Sequence, residues 1–173
     1  MKKLLSFSML GLAMTICAVA GAQNKPPASP PAKVSETINS GATITISYSQ
    51  PSVKGRTIGK DLEPMKNTVW RMGANKATVF ETDKDVTIEG KTLAAGKYSI
   101  WGVTEDNGFR IIFNSVWDTW GTRYADNREK DVMSVTVQPR TLETAQERLT
   151  YTIDKSGRVS LLWGNMAVDF NVK

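Results

Sequence analysis

The chain of 173 residues carries 22 basic and 17 acidic side chains, a single cysteine and no histidine. Without histidine, the Ser-His-Asp and Cys-His nucleophile arrangements are excluded, and so are the usual zinc, copper and non-haem iron sites, which depend on imidazole or clustered thiolates. The modest excess of basic residues is spread along the chain, so it does not indicate a nucleic-acid-binding protein, which would carry a concentrated basic surface.

Residues 1–22 have the three parts of a secretory signal peptide. Lys2 and Lys3 form the charged start, residues 4–19 form an apolar run, and Ala20-Gly21-Ala22 has the small residues that signal peptidase requires. The run is shorter and more polar than the ~20 apolar residues that span a bilayer, so we expect no membrane span. Large residues precede Cys17, which disfavours the alternative of a lipoprotein. We expect cleavage after Ala22 and a periplasmic or extracellular location.

Residues 23–40 are predicted to form a proline-rich disordered linker. The stretch from Gln23 to Lys33 holds four prolines and little that could be buried, a composition typical of extended, solvated tethers. The remaining chain is long enough for one domain with its own core and thin for two. We therefore place a single domain at residues 41–173.

Apolar and polar residues alternate along five runs of this domain, as expected for half-buried strands. The runs cover residues 42–48, 133–137, 149–153, 159–163 and 166–172. X-Gly pairs supply the positive φ of tight hairpin turns, and they occur at Glu89-Gly90, Ala95-Gly96, Asn107-Gly108 and Ser156-Gly157. The best helical candidate, residues 141–148, lacks an apolar stripe. The pattern predicts an all-β fold, a single antiparallel β-sandwich of which the jelly roll is one form.

The irregular segment 55–78, GRTIGKDLEPMKNTVWRMGANKAT, holds the candidate ligand-binding residues. Irregular segments rich in Gly, Arg and Trp are more often binding surfaces than packing devices. Arg56 and Arg71 offer donors for an anion, Trp70 offers a stacking face, and Asn75 can bond hydroxyls as donor and acceptor. We expect these four side chains to line one concave surface. The alternative is that the arginines pair with the protein's own acids and the tryptophan fills the core.

A second aromatic cluster occupies residues 117–124, WDTWGTRY. Aromatic rings beside polar residues are typical of surfaces that grip carbohydrate or a protein partner. The alternative is a long loop that folds back over one end of the sandwich, with its rings covering the core. The sequence alone leaves both interpretations open, with the second slightly favoured.

Carboxylate chemistry is the enzymatic alternative that the composition leaves open. Glycoside hydrolysis needs two carboxyl groups facing each other across a sugar. The candidates near segment 55–78 are Asp61 with Glu63, or a set drawn from Glu81, Asp83 and Asp85. Acidic residues at strand ends and turns are usually only solvated, and we favour that interpretation here. No cofactor or metal ion is expected.

Several ordered stretches of the chain carry a family resemblance. They are Tyr48 with Pro51, and residues 53–56, 70–78, 93–99, 129–140 and 161–172. On these stretches the chain resembles the bacterial family catalogued as domain of unknown function 2911. The resemblance implies an exported, β-rich protein of Bacteroidota-type bacteria with no assigned activity. The chain departs from the family pattern at Met72, at residues 65–67 and at Lys76, where an acid or a small residue is common.

Together these patterns favour a binding protein over an enzyme. We expect an exported periplasmic β-sandwich that binds a small anionic or carbohydrate ligand, or a cell-envelope partner, through Arg56, Trp70, Arg71 and Asn75. The alternatives are a carboxylate-based glycan hydrolase and a structural protein of envelope assembly. An open pocket holding both arginines favours binding, whereas two carboxyls about 5 to 10 Å apart across a cleft favour hydrolysis. A flat apolar patch without a pocket favours assembly.

Overall fold

The computed structural model describes residues 27–173. The predicted signal peptide and its cleavage site lie outside the described residues. In the described part the chain forms strands β1 Pro31–Thr37, β2 Thr43–Ser49, β3 Thr78–Thr82, β4 Val86–Ile88, β5 Lys91–Leu93, β6 Gly96–Glu105, β7 Gly108–Asn114, β8 Asp131–Val137, β9 Arg140–Ile153 and β10 Arg158–Asn171, with the short helix α1 Tyr124–Asn127 and a 3-10 turn at Arg128–Lys130. The described chain therefore has little helix, as expected for an all-β fold.

Six strands form the main antiparallel sheet in the order β1-β2-β3-β6-β7-β8. Neighbouring strands pair with apolar residues opposite one another, as Ile46 does with Phe80 and Ile111 with Val135. Because side chains alternate between the two faces of a strand, this register collects one apolar face over the whole sheet. That face forms one wall of the core.

The second layer is built around the hairpin of β9 and β10. The end of β10 continues into backbone pairing with β4, where Thr87 N donates to Lys173 O over 2.8 Å and Lys173 N donates to Thr87 O over 2.9 Å. Strand β4 in turn pairs with β5. This layer buries its apolar face against the main sheet, so the predicted all-β sandwich is confirmed.

Aromatic pairs join the two layers across the core. Tyr48 of the main sheet meets Tyr151 of β9 with ring centroids 4.8 Å apart, and Phe113 meets Phe170 of β10 at 6.3 Å. Such edge-to-face pairs contribute about 0.5–1.5 kcal/mol each beyond their burial. The rings therefore fix how the second layer sits on the first.

The predicted disordered linker 23–40 is wrong over its second half. Residues 31–37 are strand β1, which pairs with β2 from Pro31 opposite Ser49 to Thr37 opposite Thr43. As an edge strand, β1 contributes backbone hydrogen bonds while burying few apolar side chains, and proline at the first strand position is compatible with that place. Its sequence therefore lacks the apolar alternation by which β2 was recognised.

Two further details differ from the predicted elements. The runs 159–163 and 166–172 are parts of the continuous strand β10, and the helical candidate 141–148 lies inside β9. Strand β3 was not predicted because its five residues follow the irregular segment without a turn signal.

Among residues 27–173, the structure contains no helix long and apolar enough to cross a membrane.

Candidate functional site

A cleft of about 590 Å³ opens on the β9–β10 side of the molecule. Most of its wall comes from the loop after β2, from β9 and the residue before it, and from the middle of β10. The lining residues are Val53, Arg56–Gly59, Pro64, Thr104, Pro139–Thr141, Ala145–Glu147 and Gly164–Met166. Clefts of roughly 300–1,000 Å³ are the usual size for small-molecule sites. The cleft is thus large enough for a small ligand.

The cleft exists because β9 bulges away from β10. Between the pairs Leu162–Thr150, Gly164–Gln146 and Met166–Thr141, the register shifts twice, each time leaving extra residues on β9. Bulges bend a strand and re-aim its side chains. The displaced part of β9 pairs instead with the loop after β2, where Val53 N donates to Glu147 O over 2.9 Å. This pairing brings the loop and the bulge face to face.

Gly164 allows the loop to come close to β10. Its φ is +55°, and a Cβ atom at this position would lie 2.7 Å from Cγ1 of Ile58. A larger residue would therefore be strained by its backbone and would push Ile58 out of place. A glycine in a strand commonly marks a bulge or a close approach, so Gly164 is a sequence signal that could have indicated this cleft.

Arg56 is an exposed side chain on the loop wall of the cleft. Its Nε donates to Val53 O over 3.1 Å and its Nη2 donates to Ser52 O over 2.9 Å. A guanidinium has five N–H donors, so three remain after these two bonds. Within residues 27–173 no carboxylate lies in ion-pair contact with it. Arg56 thus presents an oriented cation whose charge is not neutralised by a described neighbour.

The other charged groups of the cleft already have protein partners. Arg140 donates from Nε to Asp169 Oδ2 over 2.6 Å, and this hydrogen bond raises the pKa of Arg140. Burial raises the pKa of Asp169, but its hydrogen bonds and the charge of Arg140 outweigh burial and hold that pKa below its ordinary value. Glu147 accepts a bond from Lys54 N over 3.0 Å.

Trp70 lies in the core and does not face a ligand. It is 2% exposed, stacks on Trp163 with ring centroids 5.5 Å apart and an interplanar angle of 16°, and donates from Nε1 to Gly73 O over 3.1 Å. Its backbone extends the main sheet by pairing with Gly102. The prediction of a stacking platform at Trp70 is therefore replaced by the alternative, in which this ring fills the core.

Arg71 and Asn75 lie together, away from the cleft. Gly121 packs against both, since it donates from its backbone N to Asn75 O over 3.0 Å and its Cα faces the Arg71 side chain so closely that a Cβ would overlap it. Asn75 donates from Nδ2 to Ser29 O over 3.3 Å. The cleft around Arg56 includes none of Trp70, Arg71 and Asn75, so the predicted convergence is wrong. A binding role for Arg71 and Asn75 stays a prediction.

The aromatic cluster at 117–124 divides into two parts. Tyr124 packs on Trp101 of the main sheet with ring centroids 5.1 Å apart and donates to Asp131 Oδ2 over 2.6 Å. Burial first, and then this hydrogen bond, raise the pKa of Tyr124 to about 12. Trp117 and Trp120, in contrast, are 42% and 53% exposed. The capping interpretation is therefore correct for Tyr124, and the two tryptophans point to solvent.

The candidate catalytic carboxylates form hydrogen bonds or an ion pair with other groups of the protein. Asp61 accepts a bond from Thr57 N, Glu63 from Met65 N, Asp83 from Thr43 N and Asp85 from Ala95 N, and Glu81 lies 3.6 Å from Lys97 Nζ. The Thr43 hydrogen bond lowers the pKa of Asp83. The carboxylate that lines the cleft is Glu147 alone. Residues 27–173 contain no group of three acidic side chains placed to hold a metal ion.

Residues that sequence reasoning missed make up most of the cleft. Gln146 and Glu147 fall in the stretch 141–148, which was considered only as a helical candidate, and Asn165 falls between the runs 159–163 and 166–172. Arg140 belongs to no segment that was singled out for binding. The comparison with known families matches residues 29–172 to the family described as "Protein of unknown function (DUF2911)". Neither a curated protein nor a solved structure matches the chain.

Proposed function

Since the chain belongs to the family of proteins of unknown function DUF2911, whose description names no reaction, we propose its function from the cleft. The protein is an exported binding protein whose cleft holds a small ligand that has an anionic group and an apolar body. The observation that carries this proposal is Arg56, a cation oriented toward the cleft by two backbone carbonyls and without a carboxylate partner in the described chain.

The anionic group follows from the donors that remain on Arg56. A guanidinium presents its N–H groups in a planar fork that matches carboxylate, sulfate or phosphate, and charge-assisted hydrogen bonds are roughly twice as strong as neutral ones. Because the bonds to Ser52 and Val53 already hold the side chain, little conformational entropy is lost when a ligand binds. Arg140 is less suited to this role because Asp169 already pairs with it.

The apolar body follows from the rest of the cleft wall. Val53, Ile58, Pro64, Pro139, Ala145 and Met166 contribute apolar side chains. Within residues 27–173 the walls of the cleft contain no aromatic ring, so they favour an aliphatic or compact ligand over a stacked sugar. Glu147 and Gln146 add polar atoms that can orient such a ligand at its other end.

We expect Arg56→Gln to abolish ligand stabilisation while leaving the free protein nearly as stable. The probes are a panel of small carboxylates, alkyl sulfates and alkyl phosphates, each paired with its neutral amide or alcohol. A ligand at 100 times its Kd stabilises the folded state by about 2.7 kcal/mol, which thermal denaturation detects. Arg56 is exposed, so its replacement should change the free energy of unfolding by roughly 1 kcal/mol or less.

The matched control is Arg128→Ala, because Arg128 is also exposed but lies in the 3-10 turn and away from the cleft. This variant should keep the full ligand-induced rise in melting temperature. The proposal is contradicted if no anion in the panel stabilises the protein. It is equally contradicted if an anion stabilises wild-type protein and Arg56→Gln to the same extent.

The hydrolase alternative receives no support from the cleft. Two carboxyl groups must face each other across the scissile bond, and Glu147 is the acidic side chain that lines the wall. The alternative of an envelope-assembly protein rests on a flat apolar surface. Within residues 27–173 the exposed large apolar side chains are Trp117, Trp120 and Val132.

Export gives a separate prediction. We expect protein recovered from the cell envelope of a bacterial host to begin at Gln23, because Ala20-Gly21-Ala22 fits signal-peptidase cleavage. Intact-mass spectrometry of the purified protein measures this directly. Replacing Ala20 and Ala22 with bulky residues should leave the precursor uncleaved. Recovery of a lipid-modified chain that begins at Cys17, or of a full-length cytoplasmic chain, would contradict export by this route.

A further inference from the structure

The exposed large apolar side chains of residues 27–173 are concentrated on one loop. They are Trp117 at 42%, Trp120 at 53% and Val132 at 48%, so two of the three stand within the tryptophan loop, which we define as residues 117–120. Apolar side chains scattered singly over a surface need no explanation, whereas a concentration of them marks interaction sites. The tryptophan loop is therefore a candidate site distinct from the cleft.

The backbone of the tryptophan loop is held in place on both sides. Ser99 Oγ donates to Val116 O over 2.9 Å, Ala77 N donates to Thr119 O over 3.1 Å, and Gly121 N donates to Asn75 O over 3.0 Å. The rings thus point to solvent from a fixed backbone. Preorganisation of this kind lowers the entropy lost on binding.

Two lysines beside the rings are paired with carboxylates. Lys76 Nζ lies 2.7 Å from Asp118 Oδ1, and Lys97 Nζ lies over the Trp117 ring at 5.1 Å from its centroid and 3.6 Å from Glu81 Oε1. These two lysines are therefore each balanced by a carboxylate. Such a surface favours a ligand without net charge.

The size of the aromatic surface decides between a protein and a smaller ligand. With about 250 Å² for a whole tryptophan, exposures of 42% and 53% leave roughly 240 Å² of tryptophan surface open. A stable protein–protein interface, including a dimer of this chain, needs about 800 Å² on each partner. Trp120, and the part of Trp117 that Lys97 does not cover, offer instead flat faces for the C–H groups of sugar rings. Asp118, Thr119 and Lys76 lie beside them as acceptors and donors for hydroxyls.

We propose that the tryptophan loop is a second binding site, which holds a neutral oligosaccharide by stacking sugar rings on Trp117 and Trp120. The site is independent of the cleft, since none of its residues lines the cleft. It gives the protein a means of attachment to glycan, while the cleft takes a separate small ligand.

Intrinsic fluorescence can test this site directly. Of the five tryptophans, Trp70, Trp101 and Trp163 are buried at 2%, 1% and 2% exposure, so acrylamide quenching reports mainly on the two rings of the loop. We expect at least one pentasaccharide from a panel of β-1,4-linked glucose, xylose, mannose and N-acetylglucosamine to protect the full chain from quenching. Titration calorimetry with the same sugar gives its Kd.

Three variants make the test specific. Trp117→Ala and Trp120→Ala should each weaken binding of that pentasaccharide by about tenfold or more, as loss of an aromatic anchor does. The matched control is Val132→Ala, which removes an equally exposed apolar side chain outside the loop and should leave the Kd unchanged. All three should melt within a few degrees of wild type, because the residues are exposed.

The proposal is overturned if no pentasaccharide in the panel binds, or if binding survives in the double variant Trp117→Ala, Trp120→Ala. It is also overturned if sedimentation shows that the wild-type chain forms a dimer that Trp120→Ala dissociates, because the rings would then be an interface between copies. Arg56→Gln should keep oligosaccharide binding, so failure of the cleft proposal and failure of this one are distinguishable.

Discussion

Trp70→Ala is expected to lower the free energy of unfolding by about 3–5 kcal/mol, the usual loss for removing a buried aromatic side chain. The ring is 2% exposed and stacks on Trp163, which joins the irregular segment 55–78 to β10. Removing it leaves a cavity between the two layers and takes away the hydrogen bond from its Nε1 to Gly73 O. Urea denaturation followed by fluorescence or circular dichroism measures the loss.

Trp120→Ala is the matched control for this experiment. It removes the same ring from a position that is 53% exposed, and surface substitutions usually change stability by about 0.5 kcal/mol or less. A loss at position 70 as small as the loss at position 120 would contradict the assignment of Trp70 to the core. It would also restore the ring as a candidate ligand platform.

Gly157→Ala is expected to destabilise the protein by about 2–5 kcal/mol. Gly157 has a φ of +89° in the turn between β9 and β10, a conformation that costs an alanine about 1–2 kcal/mol. A Cβ there would also overlap the carbonyl oxygen of Val172 and lie 3.0 Å from its carbonyl carbon. Relief of that overlap requires a backbone shift, and overpacking of this kind costs about 1–3 kcal/mol more.

Gly90→Ala separates the two contributions. Gly90 has nearly the same φ, +82°, in the turn between β4 and β5, but no atom lies within 4 Å of the position that its Cβ would take. Its replacement should therefore show the backbone strain alone, about 1–2 kcal/mol. Thermal and urea denaturation of both variants give the difference. Equal losses in the free energy of unfolding at the two glycines would mean that Val172 shifts at little cost and that the end of β10 is loosely packed.

The Gly157 experiment also bears on how the second layer is held. Val172 N donates to Gly157 O over 2.8 Å, so the turn between β9 and β10 contacts the last residues of the chain. Those residues pair with β4. A shift at Val172 should consequently loosen β4 and β5 as well, and amide hydrogen exchange of Thr87 and Lys173 is expected to become faster in Gly157→Ala.

Local sequence patterns were sufficient to predict the all-β fold class and strands β2, β8 and β10, together with the second half of β9. Alternation with a period of two and X-Gly turns are local properties, and both depend only on how neighbouring residues share the faces of a strand. For the same reason the turns at Gly90 and Gly157 were correctly identified. The exposed rings Trp117 and Trp120 were also singled out from the sequence, because two tryptophans among polar residues have no strand period.

The burial of Trp70 and the position of Arg56 at the cleft depend on tertiary contacts. Nothing local distinguishes these two residues within the irregular segment, since exposure depends on what packs against each side chain. Trp163 of β10 covers the ring of Trp70, whereas Arg56 faces an open cleft. The prediction that they would share one surface failed because it treated the segment as one unit.

The cleft itself also required the tertiary structure. It arises where β9 leaves its register with β10 and pairs with the loop after β2, which brings Val53 and Glu147 together from distant parts of the sequence. Strand β1 was missed for a related reason, because an edge strand is held by backbone hydrogen bonds that any sequence can make. Alternation tells which residues share a face of a strand, whereas long-range pairing decides where that strand bends and what it encloses.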